Sequence, residues 1–169
     1  GDMLLKEEIE IDDEITAGQL HDKMSLLGAE LLLKTIKGVK EGTITPTPQM
    51  ECDTCYAPRM TREVGEINWN ASAREIHNLV RGTNPWPGAC SYIKNERMRI
   101  WKTRIIDEEK KSGNIPGTVL DISKEGFLVQ AGKGTILIME VQCDNAKHMT
   151  VNQYICGHLV TAGDSFGKE

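Results

Sequence analysis

The side chains best suited to chemistry in this sequence are cations. Residues 92–104 hold Lys94, Arg97, Arg99, Lys102 and Arg104 against a single carboxylate, Glu96. A local stripe of this kind attracts phosphate. Lys and Arg grip a nucleic-acid backbone through salt-dependent contacts that position it without reading its bases. Arg59 and Arg62, just beyond a proline-containing stretch, extend the candidate set. A solvated edge strand also carries lysines and arginines, as protection against aggregation, so the stripe alone leaves both roles open. Two tryptophans lie close by. Trp86 stands between Pro85 and Pro87, which set the backbone on both sides of it, and Trp101 sits within the basic stretch itself. An aromatic so held is more often core than a surface for stacking bases, and a structural role is expected for both.

Other chemically capable groups are less organised. Cys52-Asp53-Thr54-Cys55 invites a zinc or redox reading, with Cys156 and His158 as imaginable further ligands. A zinc ribbon shows a second pair of similar spacing, and a redox pair opens a helix after a strand, whereas this pair lies among prolines. No metal site is expected. His21, His77 and His148 fall on or beside predicted helices without a nameable partner and read as ordinary solvated or capping histidines. Asp12-Asp13-Glu14 lacks the glycine and the spaced acids of a calcium loop and reads as a charged turn.

These groups need elements to position them. The chain has 169 residues, 39% of them apolar, enough for one packed domain or for one domain with part of another. No apolar run approaches the roughly 20 residues that cross a bilayer, and no basic secretory leader opens the chain. A cytoplasmic location without membrane attachment is therefore expected, with the odd set of five cysteines reduced. The net charge of −5 is unevenly spread: residues 1–64 carry 7 Lys and Arg against 13 Asp and Glu, net −6, while residues 65–169 carry 13 against 12, net +1.

Residues 3–11 alternate like a strand, and Thr16 with Gln19 forms a capping box that opens a helix over 17–37, with Gly38 as its stop. Leu20, Met24, Leu27 and Leu31 form one apolar stripe on that helix. One strand and one helix cannot bury such a stripe, so the segment reads as the end of an α/β domain whose sheet is missing. Pro46, Pro48 and Pro58 mark residues 43–64 as a linker. A second helix starts at Ser72, capped with Glu75, and stops near Gly82. Strands are expected at 89–94, 98–106, 118–122, 127–131 and 135–142, with turns at Asn95-Glu96, 123–126 and 132–134, and a closing helix after Thr150. Five short strands at even spacing suggest a small barrel.

The segment Asn84-Pro85-Trp86-Pro87-Gly88-Ala89, preceded by Ile67-Asn68-Trp69, resembles the signature of the C-terminal domain of methionyl-tRNA formyltransferases. Leu20-His21-Asp22-Lys23 with Leu26-Leu27-Gly28-Ala29-Glu30 resembles the last helix of that family's formyltransfer domain, and Thr54-Cys55-Tyr56-Ala57 its interdomain linker. Ile100-Trp101-Lys102, Pro116-Gly117-Thr118-Val119 and Gly132-Lys133-Gly134 continue the likeness in order and spacing. The resemblance implies a mainly β fold: a small barrel of oligonucleotide-binding type over residues 65–169, preceded by a strand-helix remnant of a Rossmann-like α/β domain over 1–42. It implies a parent enzyme that moves a formyl group from 10-formyltetrahydrofolate to methionyl initiator tRNA. The catalytic Asn, His and Asp of that family would lie upstream of Gly1, and Asp2 matches a later, non-catalytic acid of the motif. This chain is thus expected to hold no catalytic residue and no cofactor. Its expected part is to hold the tRNA, through Arg59, Arg62, Lys94, Arg97, Arg99, Lys102 and Arg104.

Expected partners are the initiator methionyl-tRNA, the absent N-terminal domain, and a second copy of the chain pairing through residues 1–40. Two alternatives stand beside this reading. One is a related formyltransferase acting on an amino sugar nucleotide, which shares the Asn-Pro-Trp-Pro-Gly pattern. The other is a stand-alone nucleic-acid-binding barrel, which would leave the stripe of Leu20, Met24, Leu27 and Leu31 uncovered.

Overall fold

The computed structural model describes residues 1–50, 55–109 and 113–167, and it divides into two units, Gly1–Arg59 and Met60–Glu169. The first unit is dominated by helix α1, Ala17–Glu41. Its start follows the capping box: the Gln19 amide donates to the Thr16 hydroxyl at 3.3 Å, and the Gln19 side chain accepts from the Thr16 amide at 2.9 Å. Its end lies beyond the expected stop. Gly42, not Gly38, takes the left-handed cap with φ of 66°, a conformation that costs glycine nothing. Gly38 serves packing instead, since a Cβ there would lie 2.6 Å from Cδ1 of Ile44. The chain can thus fold back over the last turn.

Residues 3–11 do not form the expected strand. Among the described residues of this stretch, only Met3 pairs, with Thr47, through two N–H···O bonds of 2.8 Å. Alternation alone does not make a strand without a ladder partner to hold it. Leu20, Leu27 and Leu31 are half-buried and Met24 is exposed, while Leu26 and Leu33 on the same helix are 74% and 71% exposed.

The second unit is mostly antiparallel sheet. A 3-10 turn, Arg62–Gly65, leads to helix α2, Ala73–Gly82, again opened by a reciprocal cap between Ser72 and Glu75. Then come β1 (Ala89–Ile93), β2 (Glu96–Asp107), β3 (Val119–Ile122), β4 (Phe127–Gln130), β5 (Thr135–Cys143), β6 (Met149–Thr150) and the single turn α3 (Val151–Tyr154). β1 and β2 are joined by a two-residue hairpin at Lys94-Asn95, both with positive φ, one residue earlier than the expected turn. The strands run β1-β2-β5-β4-β3, with β6 on β5. This corrects the expected closed barrel. The sheet is open, because β1 and β3 do not pair and are its two edges.

Those edges are capped by the end of the chain. The Val119 and Phe166 amides donate to Asp164 and Gly117 carbonyls at 2.8 Å on the β3 side, and the Gly167 amide donates to Tyr92 at 2.9 Å on the β1 side. The segment touches each edge through isolated bridges and not through a ladder. Beneath it lies the core, one buried cluster in which Ile76 and Val80 of α2 join Met98, Ile100, Phe127, Val129, Ile136, Ile138 and Val141. Phe166 anchors the tail against Trp69 and Phe127, with ring centroids 5.3 and 6.2 Å apart. No helix among the described residues is long and apolar enough to cross a membrane.

Gly117 holds the tail to β3: its φ is +94°, and a Cβ there would collide with the Phe166 carbonyl oxygen. Gly117→Ala is expected to lower stability by about 1 kcal/mol or more in chemical denaturation. Hydrogen exchange at the Val119 and Phe166 amides should accelerate, while exchange in β5 should follow only the global loss.

Candidate nucleic-acid interface

Five of the seven predicted cations lie on β2 or its hairpin, and their directions follow from its register. Along β2, Met98 and Ile100 are buried, so the alternation of a strand turns Arg97, Arg99 and Trp101 to the opposite face. Uninterrupted alternation would send Thr103 outward and Arg104 into the core. The structure does the reverse. Register breaks at Ile100/Lys102 and Lys102/Thr103 place two residues, Trp101 and Lys102, between the inward-facing Ile100 and Thr103. β5 breaks in step, with Met139 and Glu140 between the buried Ile138 and Val141. The double irregularity therefore keeps Arg97, Arg99, Lys102 and Arg104 off the core side together.

A side-chain hydrogen bond holds the switch. Thr103, buried, meets Nδ1 of His77 at 2.9 Å, joining α2 to the strand just past the break. His77 is 4% exposed, which corrects its expected solvated or capping role. His21 is exposed beside Asp22, as an ordinary surface histidine should be.

Most of the stripe is already paired. Arg97 meets Asp144 at 3.2 Å and Arg104 meets Glu125 at 2.7 Å. Lys94 meets Asp164 at 2.9 Å and donates to the Leu159 carbonyl at 2.8 Å, so it ties the hairpin to the chain end. Among the described residues, Arg99 and Lys102 enter no salt bridge. Arg62 is exposed in the 3-10 turn, whose Gly65 packs on the Gly88 carbonyl beside β1. Arg59 is exposed at the end of the first unit.

Two tryptophans belong to the same stretch of chain, Trp101 between Arg99 and Lys102 on β2 and Trp86 in the loop before β1. The Trp101 indole donates to Gln142 Oε1 at 3.1 Å and lies 5.4 Å from the His148 ring, whose Nε2 meets Glu140 at 2.8 Å. Trp86 departs from the expected core role: it is 55% exposed. Sequence patterning missed this because apolar character argues for burial, while the two flanking prolines hold the loop whichever way the ring points.

Among the described residues, the thiols share no site. Cys52 lies outside the described residues, and Cys55 is exposed and free. Burial raises the Cys143 thiol above its ordinary range, which leaves it a poor nucleophile. His158 stacks on Tyr154 with centroids 4.2 Å apart. Among the described residues, no cluster of His, Cys, Asp and Glu could hold a metal ion.

Residues 59–159 match the family described as formyl transferase, C-terminal domain. The chain belongs to that family. A relative named methionyl-tRNA formyltransferase, from Acetivibrio thermocellus, is 50% identical over 168 residues, 99% of this chain and 54% of the relative. The chain thus spans about half the length of the curated relatives it matches. Among solved structures, a HypX variant from Aquifex aeolicus superposes with a TM-score of 0.67 at 19% identity, over 94% of this chain and 28% of that one. An N-formyltransferase from Helicobacter canadensis, complexed with folinic acid and dTDP-3-aminofucose, gives 0.60 at 20% identity, over 82% and 49%. At those identities the likeness is one of fold. The formyl transferase match spans all seven predicted cations and every strand of the sheet, and stops short of the tail at 160–167.

Two outcomes follow from this geometry. Thr103→Val keeps the shape at the break and removes a partner of buried His77, so it should cost about 1–3 kcal/mol in urea unfolding. Asp164 accepts from the Thr161 amide and from Lys94, which together hold its carboxyl below the ordinary range despite some burial. A depressed folded value means that this contribution is full at neutral pH and is lost as the pH falls through the folded value, below about 3.8. Asp164→Asn should therefore lower the melting temperature at pH 7, and the gap to the unmodified chain should close on acidification.

Proposed function

We propose that this chain is the substrate-holding portion of a methionyl-tRNA formyltransferase, binding the initiator tRNA so that its methionyl amine meets a donor held elsewhere in the whole protein. The observation that carries the reading is the cationic, core-averted side of β2, in a chain 50% identical to a relative of that name. Arg99 and Lys102 are the cations ready to meet phosphate. Arg97, Arg104 and Lys94 would exchange carboxylate partners for phosphate, and Arg62, exposed in the 3-10 turn, and Arg59, exposed at the end of the first unit, are further candidate phosphate contacts. The more exposed pairs of Arg97 and Arg104 contribute little, about 0–1 kcal/mol each, so their exchange is inexpensive. Orienting two reactants is itself a large catalytic contribution, up to roughly 7–11 kcal/mol in favourable cases. In this reading formyl transfer from 10-formyltetrahydrofolate and its catalytic side chains belong to the remainder of the enzyme. The exposed apolar residues of α1 pack there against the rest of an α/β domain.

Titration of the chain with initiator tRNA transcript across a series of salt concentrations tests this. Binding should weaken linearly on a log-log scale, and replacing Arg99 and Lys102 together with alanine should reduce the slope by about 2, roughly one per phosphate contact. A chain that does not bind the transcript at low salt, or binds with a slope near zero, overturns the proposal.

A further inference from the structure

The loop carrying Trp86 is a rigid perch. It is closed at its base by the Gly88 amide donating to the Thr83 carbonyl at 2.9 Å, with Thr83, Pro87 and Gly88 buried. Asn84 pins its flank to β2 by donating from Nδ2 to the Trp101 carbonyl at 3.3 Å. From this fixed base the indole of Trp86 projects into solvent, with Pro85 exposed beside it. The other two tryptophans show what the fold does with an indole it needs. Trp69 is buried and donates to Ser91 at 2.9 Å, and Trp101 donates to Gln142. Trp86 makes no hydrogen bond among the described residues. Leaving so large an apolar ring in water forgoes one of the larger burial gains a side chain offers.

At the foot of this loop runs Arg99, one of the two cations of the strand that enter no salt bridge among the described residues. A Cβ on Gly88 would lie 3.9 Å from Cδ of Arg99, so the Arg99 stem passes the foot of the loop. Lys102 follows on the same side of β2. An exposed indole, a free guanidinium plane and a second cation, on backbone that needs no ordering, form a recognition set for a flat π-system attached to phosphate. We infer that Trp86 and Arg99 stack on one unpaired nucleobase of the bound RNA, with Lys102 on the adjoining phosphate. Base paired within a duplex, that nucleobase would hide its faces, so the site selects single-stranded or looped RNA. Stacking of this kind tolerates any base, because each has a π-face. This inference rests on the RNA-binding reading above and adds a contact of a different kind to its phosphate grip.

The test uses the 169-residue chain with initiator tRNA transcript, a single-stranded RNA and a blunt RNA duplex of equal length. Trp86→Ala should weaken the transcript and the single strand about tenfold or more and leave the duplex and the salt slope unchanged. Trp86→Phe, which keeps a smaller π-face, should recover much of the loss, and the tryptophan fluorescence quenching on RNA addition that Trp86 supplies should vanish in both variants. Thermal unfolding of both variants should match the unmodified chain. If Trp86→Ala binds the transcript as tightly as the unmodified chain while Arg99→Ala and Lys102→Ala weaken it, the stacking site is wrong and the phosphate surface stands. If the unmodified chain binds none of the three RNAs, both fall together. Loss on Trp86→Ala that Trp86→Phe does not recover, with a lowered melting temperature, also overturns it by making the residue structural.

Discussion

The arrangement of the candidate interface depends on one local event, the paired break of register between β2 and β5. Between Ile100 and Thr103 on one strand, and between Val141 and Ile138 on the other, an odd step replaces the even one that pleating demands. Remove that step and Arg104 turns inward beside Met98 and Ile100. A buried guanidinium there would need a partner that the apolar core of α2, Phe127 and Ile138 does not hold. The His77–Thr103 hydrogen bond is therefore more than a filled valence. It rewards the switched register with a satisfied polar pair at the site where the slip would be felt.

From that constraint the face acquires its character. The five cations of residues 92–104 stay off the core side of one strand and its hairpin, and carboxylates from the 123–126 turn, the end of β5 and the chain end come to meet three of them. The result is a surface with modest net positive charge and two cations that enter no salt bridge among the described residues, one of which, Arg99, passes the foot of the loop that carries the exposed Trp86. Such a surface would suit the proposed holding of a substrate without a broad attraction for any polyanion. The tail serves both ends of this arrangement, because Asp164 engages Lys94 while the backbone around it caps β3.

Much of this was legible in the linear order of residues, through local rules. The three capping boxes at Thr16, Ser72 and Thr150 formed where the hydroxyl and the residue three positions on predicted them, because a cap is satisfied within one turn of chain. The five main strands appeared within a few residues of expectation, because β-branched runs between turns need only a neighbour. Family membership was equally legible, through Asn84-Pro85-Trp86-Pro87-Gly88 and its ordered companions.

What the sequence by itself determined was thus element type, cap chemistry, the inventory of cations and the family. Tertiary structure alone decided everything that depends on a partner distant in the chain. Residues 3–11 had the alternation of a strand and no ladder to join; Gly38 had the type of a stop but lay under Ile44; five strands suggested a barrel whose edges β1 and β3 do not meet. Which cations stay free was likewise invisible, since Asp144, Glu125 and Asp164 reach Arg97, Arg104 and Lys94 from 21 to 70 positions away. Trp86 is the sharpest case: its type argued for burial, and only the packing of Thr83, Pro87 and Gly88 beneath the loop left its ring in water. The physical reason is common to all of them. Propensity and capping act over a few residues, whereas burial, register and charge pairing are set by whichever surfaces the whole chain brings together.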